Sequence, residues 1–473
     1  MRGIALVAKN MQVISSVNHI NLPASAPAWS GIQNNNNNEY YLDLSSGSYN
    51  NNNKNNQYWV VPVESEEICE LIFKAEEDCW KNKHGSWDAN KYHYHTGKSI
   101  FTLINELKDK TYFPKISYCF IIMYPKPREI FAAYYEDRIV HHIIAPYMSI
   151  VAEAVHKKNG NVSFGNRAGK SSYHACLRVQ EMMKKHPNGY IVTLDLKGYF
   201  MSIDRNIAWE IFQKYEEEYR PSGYTDEQRK FYLWLIELFL KYNPSINCEK
   251  KSPQWLWDEH IEPHKTMFNN QNGEPIGNYY AQIIANLILE VVCEALSSYD
   301  VTEFVDDFAI VVDNIHEVND VIHKMDSTLS KMHLTRNIKK QYIQPVRHGV
   351  LWCGYMIFPN RMYISNRIIY NCRRKIEKAL HNPTLENAKR LQQTLNSYFG
   401  MMSHATEYKL LKKISATINN SKYNEWLYFV ERGNNFVCKL KKKYSDTNKS
   451  SVDVDNINNY IQKYIKEYDY NTN

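Results

Sequence analysis

The sequence predicts an α+β fold, in which short strands alternate with longer amphipathic helices. Residues 190–195 and 304–312 are rich in valine, isoleucine and leucine and are too short for buried helices, so they favour strands. Residues 281–292 and 318–332 instead repeat apolar side chains at helical spacing. With 473 residues, the chain is long enough to form about two or three subdomains.

The remaining elements follow from the same periodicities. Thr225 and Gln228 match a capping box, which predicts the start of a further helix. In chain order, the pattern also predicts a helix from residue 64, a polar exposed loop at 80–98, a strand at 116–124, a helix at 132–148 and basic helices over 373–413.

The composition argues against several classes of protein. Nine cysteines without any Cys-x-x-Cys pair argue against a zinc site or a disulfide framework and favour a reducing compartment. No apolar stretch approaches the roughly 20 residues of a membrane span, and the N-terminus lacks a signal peptide. The net charge of +6 is compatible with local nucleic-acid-binding surfaces without requiring them. We therefore expect a cytoplasmic protein with no membrane partner.

Two adjacent acids, Asp306 and Asp307, lie inside the apolar run 304–312. Burying an ionised group without a partner costs several kcal/mol. Neighbouring side chains on a strand point to opposite faces, so a shared site requires a turn, and we expect a hairpin with both acids at its tip. A solvated turn explains most isolated aspartate pairs, but the flanking apolar residues weaken that interpretation. A hard cation would relieve the repulsion and lower both pKa values.

A metal site of this kind needs a third carboxylate. Asp195 is the best candidate, because it also ends a short β-branched run, whereas Asp204 follows after the chain has left the strand. Two-metal phosphoryl transfer requires carboxylates close enough to bind two ions roughly 3.5–4 Å apart. Two neighbouring strands that end in aspartates would meet this requirement. Asp195, Asp306 and Asp307 are therefore the predicted catalytic and metal-binding residues.

Three motifs, in this order along the chain, resemble those of reverse transcriptases. Residues 190–200 resemble the first palm motif, 273–282 resemble the template-contacting motif, and 304–307 resemble the (Tyr/Phe)-x-Asp-Asp motif. The resemblance covers residues 125–414. It implies a right-hand polymerase with fingers, a palm of antiparallel sheet and helices, and a helical thumb. It also implies an RNA-directed DNA polymerase that uses two Mg²⁺ ions, for which Mn²⁺ can substitute.

The resemblance also implies a division into subdomains. We expect an Asn-rich segment at 1–63, fingers at 64–189, a palm at 190–360 with a helical insertion at 205–270, a thumb at 361–430, and a basic, Asn-rich flexible tail at 431–473. On composition, the first segment is a disordered tail. However, residues 40–63 resemble the variable end of a C-type-lectin target protein, so the segment is alternatively derived from a template repeat.

The loop 163–170 combines glycines with Arg167 and Lys170, which suits phosphate binding. A solvated turn would be the default for such a pattern alone. The resemblance implies that Arg138, Arg167 and Lys170 contact the incoming deoxynucleoside triphosphate.

Four further nucleotide-binding residues come from the resemblance. Phe200, five residues after Asp195, occupies the position of the family's sugar gate, where an aromatic ring crowds a ribose 2′-oxygen. Lys340 resembles the lysine near the triphosphate. Gly277 and Gln282 lie in the template-contacting motif, and Gly277 is expected at the start of a helix, where free N–H groups meet a substrate.

The subclass rests on residues 276–282, which read Ile-Gly-Asn-x-x-Ala-Gln. This resembles the (Ile/Val/Leu)-Gly-Asn-x-x-Ser-Gln motif of diversity-generating retroelements, except that Ala281 lacks the hydroxyl. The resemblance implies error-prone copying of a template-repeat RNA at adenines, in the cytoplasm of a bacterial or phage-infected cell. The implied partners are template RNA, the RNA/DNA duplex, deoxynucleoside triphosphates and a small basic accessory variability protein.

Two alternatives stay open. A phage-defence-associated reverse transcriptase would share the palm motifs and differ elsewhere. A catalytically inactive RNA-binding scaffold would keep the fold, although the intact aspartates argue against it.

Overall fold

The computed structural model describes residues 63–81, 87–94, 96–269, 272–433 and 435–444, together with the short strand pair β1 (Gln33–Asn34) and β2 (Tyr40–Tyr41). Apart from that strand pair, the predictions for the Asn-rich N-terminal segment lie outside the described residues. The predicted tail beyond residue 444 lies outside them as well.

Helices and strands alternate along the described chain, which confirms the α+β prediction. The helices are α1 (Val63–Trp80), α2 (Trp87–Tyr94), α3 (Thr96–Lys108), α4 (Tyr135–Lys158), α5 (Ser172–Lys185), α6 (Tyr199–Ser202), α7 (Arg205–Glu218), α8 (Asp226–Lys241), α9 (Trp255–His260), α10 (Tyr279–Ala295), α11 (Ile315–Lys331), α12 (Asn366–Leu380), α13 (Leu385–Met402) and α14 (Tyr408–Asn419). The strands are β3 (Ser117–Ile122), β4 (Arg128–Ala132), β5 (Tyr190–Asp195), β6 (Cys248–Lys250), β7 (Asp300–Phe304), β8 (Asp307–Val312), β9 (Tyr342–Pro345), β10 (Val350–Trp352), β11 (Tyr355–Phe358), β12 (Arg361–Ile364), β13 (Leu427–Arg432) and β14 (Asn435–Leu440).

The chain divides into two compact units. The first comprises residues 1–175 and 192–343, and the second comprises residues 176–191 and 344–473. In the first unit, α4 packs against α10, whose side chains are buried along most of its length. This helix pair supplies much of the apolar core of that unit, because both helices are buried on more than one face.

The principal sheet has four strands in the order β7-β8-β5-β9. Strands β7 and β8 form an antiparallel hairpin, in which Phe304 pairs with Asp307. Residues 308–312 of β8 are all buried, as expected for a strand inside a sheet. The sheet therefore places the ends of β5 and β8 on neighbouring strands.

A second sheet has the order β4-β3-β6. Its strand β6 comes from the predicted insertion, 205–270, and pairs in parallel with β3. The insertion is therefore not wholly helical, although Thr225 does begin α8 with the predicted capping box. Pairing between residues so far apart in sequence leaves no local pattern, which is why the prediction missed the strand.

Buried Glu129 on β4 ties the insertion to this sheet. Its carboxylate accepts hydrogen bonds from Trp257 Nε1 at 2.6 Å, Thr266 Oγ1 at 2.7 Å and the backbone N of Met267 at 2.9 Å. Hydrogen bonds to a charged, buried acceptor contribute more than neutral surface ones. This connection fixes the insertion on the β3–β4 hairpin.

The prediction of an exposed loop at 80–98 was wrong. Residues of this segment form α2 and the start of α3, and Tyr92 of α2 is 4% exposed. His93 lies 2.6 Å from Glu76 Oε1 of α1 and packs against the ring of Trp80. The segment is polar in composition, but Ala89 and Tyr92, three residues apart on α2, are both buried.

The second unit contains the antiparallel sheet β10-β11-β12, the predicted helices α12 to α14, and a hairpin of β13 and β14. Within the predicted tail, residues 431–432 belong to β13 and residues 435–440 form β14. Asn396 of α13 holds the hairpin, since its side chain donates to Cys438 O at 2.9 Å and accepts from Cys438 N at 2.8 Å. Among the described residues, no helix combines the length and hydropathy required to cross a bilayer.

Candidate active site

The two adjacent aspartates lie at the tip of the β7–β8 hairpin, as predicted. Val305 and Asp306 form the connecting turn, and Asp307 is the first residue of β8. Val305 has a φ of +64°, a conformation that β-branched residues rarely adopt. The turn thus presents two carboxylates from consecutive residues, at the cost of backbone strain on the residue before them.

The third aspartate lies beside this tip. Asp195 ends β5, which neighbours β8 in the sheet, and only 5% of its surface is exposed. The charge of Asp195 acts on both Asp306 and Asp307, so the three carboxyl groups lie close enough to interact. The structure therefore brings together all three predicted carboxylates, although Asp195 precedes Asp306 by 111 residues in the sequence.

Burial and mutual repulsion shift the acidity of this site. Burial, followed by the charge of Asp195, raises the pKa of Asp306. Burial, followed by Asp306 and Asp195, raises the pKa of Asp307 to about 7. Both shifts show that the folded site disfavours the charged forms of Asp306 and Asp307.

Lys340 and Asn337 contact the carboxylate of Asp195. Lys340 Nζ lies 2.7 Å from Asp195 Oδ1, and Asn337 Nδ2 donates to Asp195 Oδ2 at 3.0 Å. The backbone N of Asn337 also donates to Asp195 O at 2.7 Å. Burial works against the Lys340 ammonium, but its bonds to Asp195 outweigh this and raise its pKa. Sequence reasoning missed Asn337; its only signal was its position three residues before Lys340.

The donor set fits hard divalent cations. All three side chains are carboxylates, the oxygen ligands that Mg²⁺ and Mn²⁺ favour, and burial and acidic neighbours raise the pKa values of Asp306 and Asp307. Among the described residues, a different trio, Glu290, Cys293 and Glu303, is packed more tightly, with ligand atoms all within 4.8 Å.

The ligand atoms of that tighter trio are partly engaged within the protein. Both oxygens of Glu290 have partners, because Oε1 lies 2.5 Å from His156 Nδ1 and Oε2 accepts from Asn159 at 2.6 Å. The solvent-accessible aspartate tip is the better match to a catalytic metal site.

Arg167 is buried and bound within its own loop region. Its guanidinium donates to both carboxylate oxygens of Glu153, at 2.8 and 2.6 Å, to Ser163 O at 2.7 Å and to Asn161 Oδ1 at 3.0 Å. This geometry matches the bidentate pairing that arginine prefers. In this conformation the arginine fixes the loop 161–167.

Arg138 and Lys170 have looser surroundings. Arg138 donates through Nε to Ala133 O at 2.8 Å, and its Nη2 lies 3.9 Å from Asp88. Lys170 Nζ lies 5.4 Å from the centre of the Phe164 ring. Both cations are partly exposed and retain donors that a phosphate can reach. Arg128 on β4, which was not among these candidates, has an electrostatic link to the aspartates, because its charge opposes the pKa rise of Asp306.

The predicted template motif packs against elements next to the site. Gly277 has a φ of +118°, and a Cβ there would lie 3.0 Å from Phe131 O of β4. Glycine is therefore required by both conformation and space. Gln282 is exposed on α10, whereas Ala281 is fully buried, so the missing hydroxyl at 281 faces the interior of the unit.

Phe200 and Asp204 follow Asp195 but differ in role. Phe200 is partly exposed in the short helix α6, and its carbonyl accepts from Glu274 N at 2.7 Å. Asp204 is the N-cap of α7, accepts from Asn206 N at 3.0 Å, and lies 3.0 Å from His333 Nδ1. Because its carboxylate caps α7 and contacts His333, Asp204 is a weaker candidate for the third metal ligand than Asp195.

A hairpin tip with two aspartates, set beside a third on the neighbouring strand, offers carboxylate ligands of the kind that two-metal phosphoryl transfer requires. Residues 126–357 match the family described as reverse transcriptase (RNA-dependent DNA polymerase). Residues 126–357 therefore form a reverse transcriptase domain. This confirms the family that the three motifs predicted.

Solved structures that match part of the chain include telomerases of two Candida species. Telomerase from Candida albicans in complex with a TWJ fragment of telomeric RNA matches with 9% identity and a TM-score of 0.39, over 67% of this chain and 59% of that one. Apo telomerase from Candida tropicalis matches with 12% identity and a TM-score of 0.39, over 63% and 59%. The chain thus spans less than two thirds of these telomerase chains. Curated protein sequences yield no significant match.

Proposed function

We propose that this enzyme copies a template-repeat RNA into cDNA with frequent errors at template adenines, as in mutagenic retrohoming. The observation that carries the subclass is the motif at 276–282, which departs from the diversity-generating pattern only at Ala281. That departure lies at a fully buried position. Gln282, the residue that distinguishes this motif from the Ser-Pro form of other reverse transcriptases, is exposed on the same helix.

The proposed reaction is nucleotidyl transfer at the aspartate tip. The primer 3′-hydroxyl attacks the α-phosphorus of a deoxynucleoside triphosphate, a new P–O bond forms, and pyrophosphate leaves. Asp195, Asp306 and Asp307 would hold two Mg²⁺ ions, which when bound supply positive charge to the reacting phosphates. The protein contributes position: β5 and β8 hold the three carboxylates, and the partly exposed ring of Phe200 would exclude a ribose 2′-hydroxyl.

Lys340, Arg138 and Lys170 would bind the triphosphate, and their present contacts differ. Lys340 would leave Asp195 and turn toward the phosphates, since its side chain is 50% exposed. Arg138 and Lys170 are partly exposed and need smaller rearrangements. Arg167 would have to exchange its partners Glu153 and Ser163, so its contribution through the loop is better supported than direct contact.

The subdomain assignment completes the proposal. Residues 64–189 would form the fingers, 190–360 the palm and 361–430 the thumb. Helix α12 supports the last of these, because its exposed side includes a run of cations, Arg373, Arg374, Lys375 and Lys378. A basic helical face suits the backbone of an RNA/DNA duplex. A small basic accessory variability protein is a further proposed partner.

Primer extension on a defined RNA template with Mg²⁺ tests the proposal. We expect DNA synthesis by the wild type, none by Asp306→Asn, and misincorporation opposite adenine well above that opposite the other three bases. Gln282→Ala is expected to lower the adenine error more than the overall rate. Accurate copying at adenines would contradict the diversifying role and favour the alternative of a phage-defence-associated reverse transcriptase. A wild type that binds RNA without extending a primer would instead indicate a scaffold.

A further inference from the structure

The loop 162–167 lies along β7, the strand that leads into the catalytic turn. Glu303 N donates to Val162 O at 2.9 Å, and Phe164 N donates to Glu303 O at 3.0 Å. Thr302 Oγ1 adds a bond to Val162 O at 3.0 Å. These contacts continue the edge of the principal sheet and deliver Gly165 to the turn.

Gly165 touches the strained residue of that turn. A Cβ at Gly165 would lie 2.7 Å from both the backbone N and Cγ2 of Val305, distances that real Cβ atoms do not show. The φ of Gly165 is ordinary, so glycine is needed here for space alone. Val305, at φ +64°, persists in its strained conformation only if its surroundings hold it, at a cost of about 1–3 kcal/mol.

Two buried side chains hold Gly165 in place. Asn286 of α10, which is 3% exposed, donates through Nδ2 to Gly165 O. Arg167 donates to Ser163 O at 2.7 Å and is anchored by the bidentate pair with Glu153. The side chain of Arg167 is 4% exposed and that of Glu153 is 53% exposed, so only the arginine of the pair is shielded from solvent. These hydrogen bonds therefore fix the position of Gly165 against Val305.

We propose that residues 162–167, here named the turn brace, position the catalytic turn, with Gly165 as the contact residue and Arg167 as the anchor. The brace holds Val305 so that Asp306 and Asp307 stay at a fixed distance from Asp195. The loop thus acts through the aspartates, which differs from the triphosphate contact expected of Arg167. The effect on catalysis rests on the proposed function, but the effect on the aspartate site does not.

Gly165→Ala tests the contact, with Gly400→Ala as the matched control. Both glycines have ordinary φ, but a Cβ at Gly400 meets nothing within 4 Å. For Gly165→Ala we expect kcat to fall by at least about tenfold, a barrier increase of about 1.4 kcal/mol, with little change in KM for the nucleotide. Nucleotide-free Mn²⁺ binding, followed by electron paramagnetic resonance, should weaken severalfold. Gly400→Ala should match the wild type in both.

Val305→Gly provides the rescue. It removes Cγ2 and lets the turn shift away from the backbone clash, so Gly165→Ala should cost much less kcat and Mn²⁺ affinity in that background. Such non-additivity is the signature of residues in contact. Equal costs in both backgrounds would mean that Gly165 acts elsewhere, and the brace would be refuted.

Arg167→Lys separates anchoring from nucleotide binding and serves if Gly165→Ala fails to fold. The brace predicts weaker Mn²⁺ binding without any nucleotide, because lysine cannot reproduce the bidentate pair. An unchanged Mn²⁺ affinity together with a raised KM for the nucleotide would overturn the brace. If the wild type extends no primer but Gly165→Ala still weakens Mn²⁺ binding, the brace stands and the polymerase proposal fails.

Discussion

Lys340 Nζ lies 2.7 Å from Asp195 Oδ1 and 2.8 Å from Asp195 Oδ2. The ammonium group thus contacts both carboxylate oxygens that Asp195 could offer to a divalent cation. It compensates one of three clustered acids and opposes the pKa rise of the other two. Cation binding and this ion pair therefore compete for the same oxygens.

Lys340→Met should destabilise the cation-free protein by about 1 kcal/mol, a modest loss because the lysine is half exposed. Thermal unfolding in EDTA measures it, and saturating Mg²⁺ should shrink the difference from the wild type. Lys339→Met, next to it on the same turn, is the control and should change neither value. A difference that persists undiminished in Mg²⁺ would show that the ion pair and the cation do not compete.

Asp306→Asn should reduce primer extension by at least about a hundredfold, because a group that stabilises the transition state is lost. In EDTA the same variant should be at least as stable as the wild type, since burial and Asp195 already disfavour the charged form of Asp306. Paired unfolding and extension assays measure both effects. Asp204→Asn, which keeps a good N-cap for α7, should retain activity within about threefold; comparable losses in both would point to misfolding.

The pH dependence of stability should reveal Asp307. Its folded-state pKa of about 7 lies above the unfolded value of about 4. The native state therefore binds more protons between these values, and this contribution to stability is present below about pH 4 and is lost as the pH rises through about 7. Urea unfolding in EDTA from pH 5 to 8 should show a smaller decline for Asp307→Asn than for the wild type. Parallel curves would contradict the assignment.

Phe200→Ala should relax the choice of sugar. If the ring crowds the ribose 2′-oxygen, removing it should raise the ratio of ribonucleotide to deoxyribonucleotide incorporation by about tenfold, which corresponds to about 1.4 kcal/mol. Single-nucleotide extension with each substrate measures the ratio. Trp255→Ala, an exposed aromatic of α9, serves as the control. An unchanged ratio would remove Phe200 from the nucleotide site.

The aspartates were predictable from sequence because each one interrupts or ends a short apolar run, and that signal is local. The contacts that organise them are long-range. Asn337 reaches Asp195 across 142 residues, and the brace glycine reaches Val305 from a loop that the sequence pattern assigned to phosphate. Neither pairing has a periodicity, so only the folded backbone reveals it. The prediction of an exposed loop at 80–98 failed for a different reason. The segment is polar overall, but its buried residues Ala89 and Tyr92 are enough to pack α2 against the unit.

Glu129 has a consequence for attempts to shorten this enzyme. Deleting the insertion would remove all three hydrogen-bond donors of Glu129, a carboxyl group that is 1% exposed in the intact protein, and leave it without partners. A minimal version would therefore need a neutral or apolar side chain at 129 in the same step, and the β3–β4 hairpin would lose its outer strand. The insertion lies between two of the sequence motifs, but it supplies a strand of the β4-β3-β6 sheet and the hydrogen-bond partners of a buried carboxyl group.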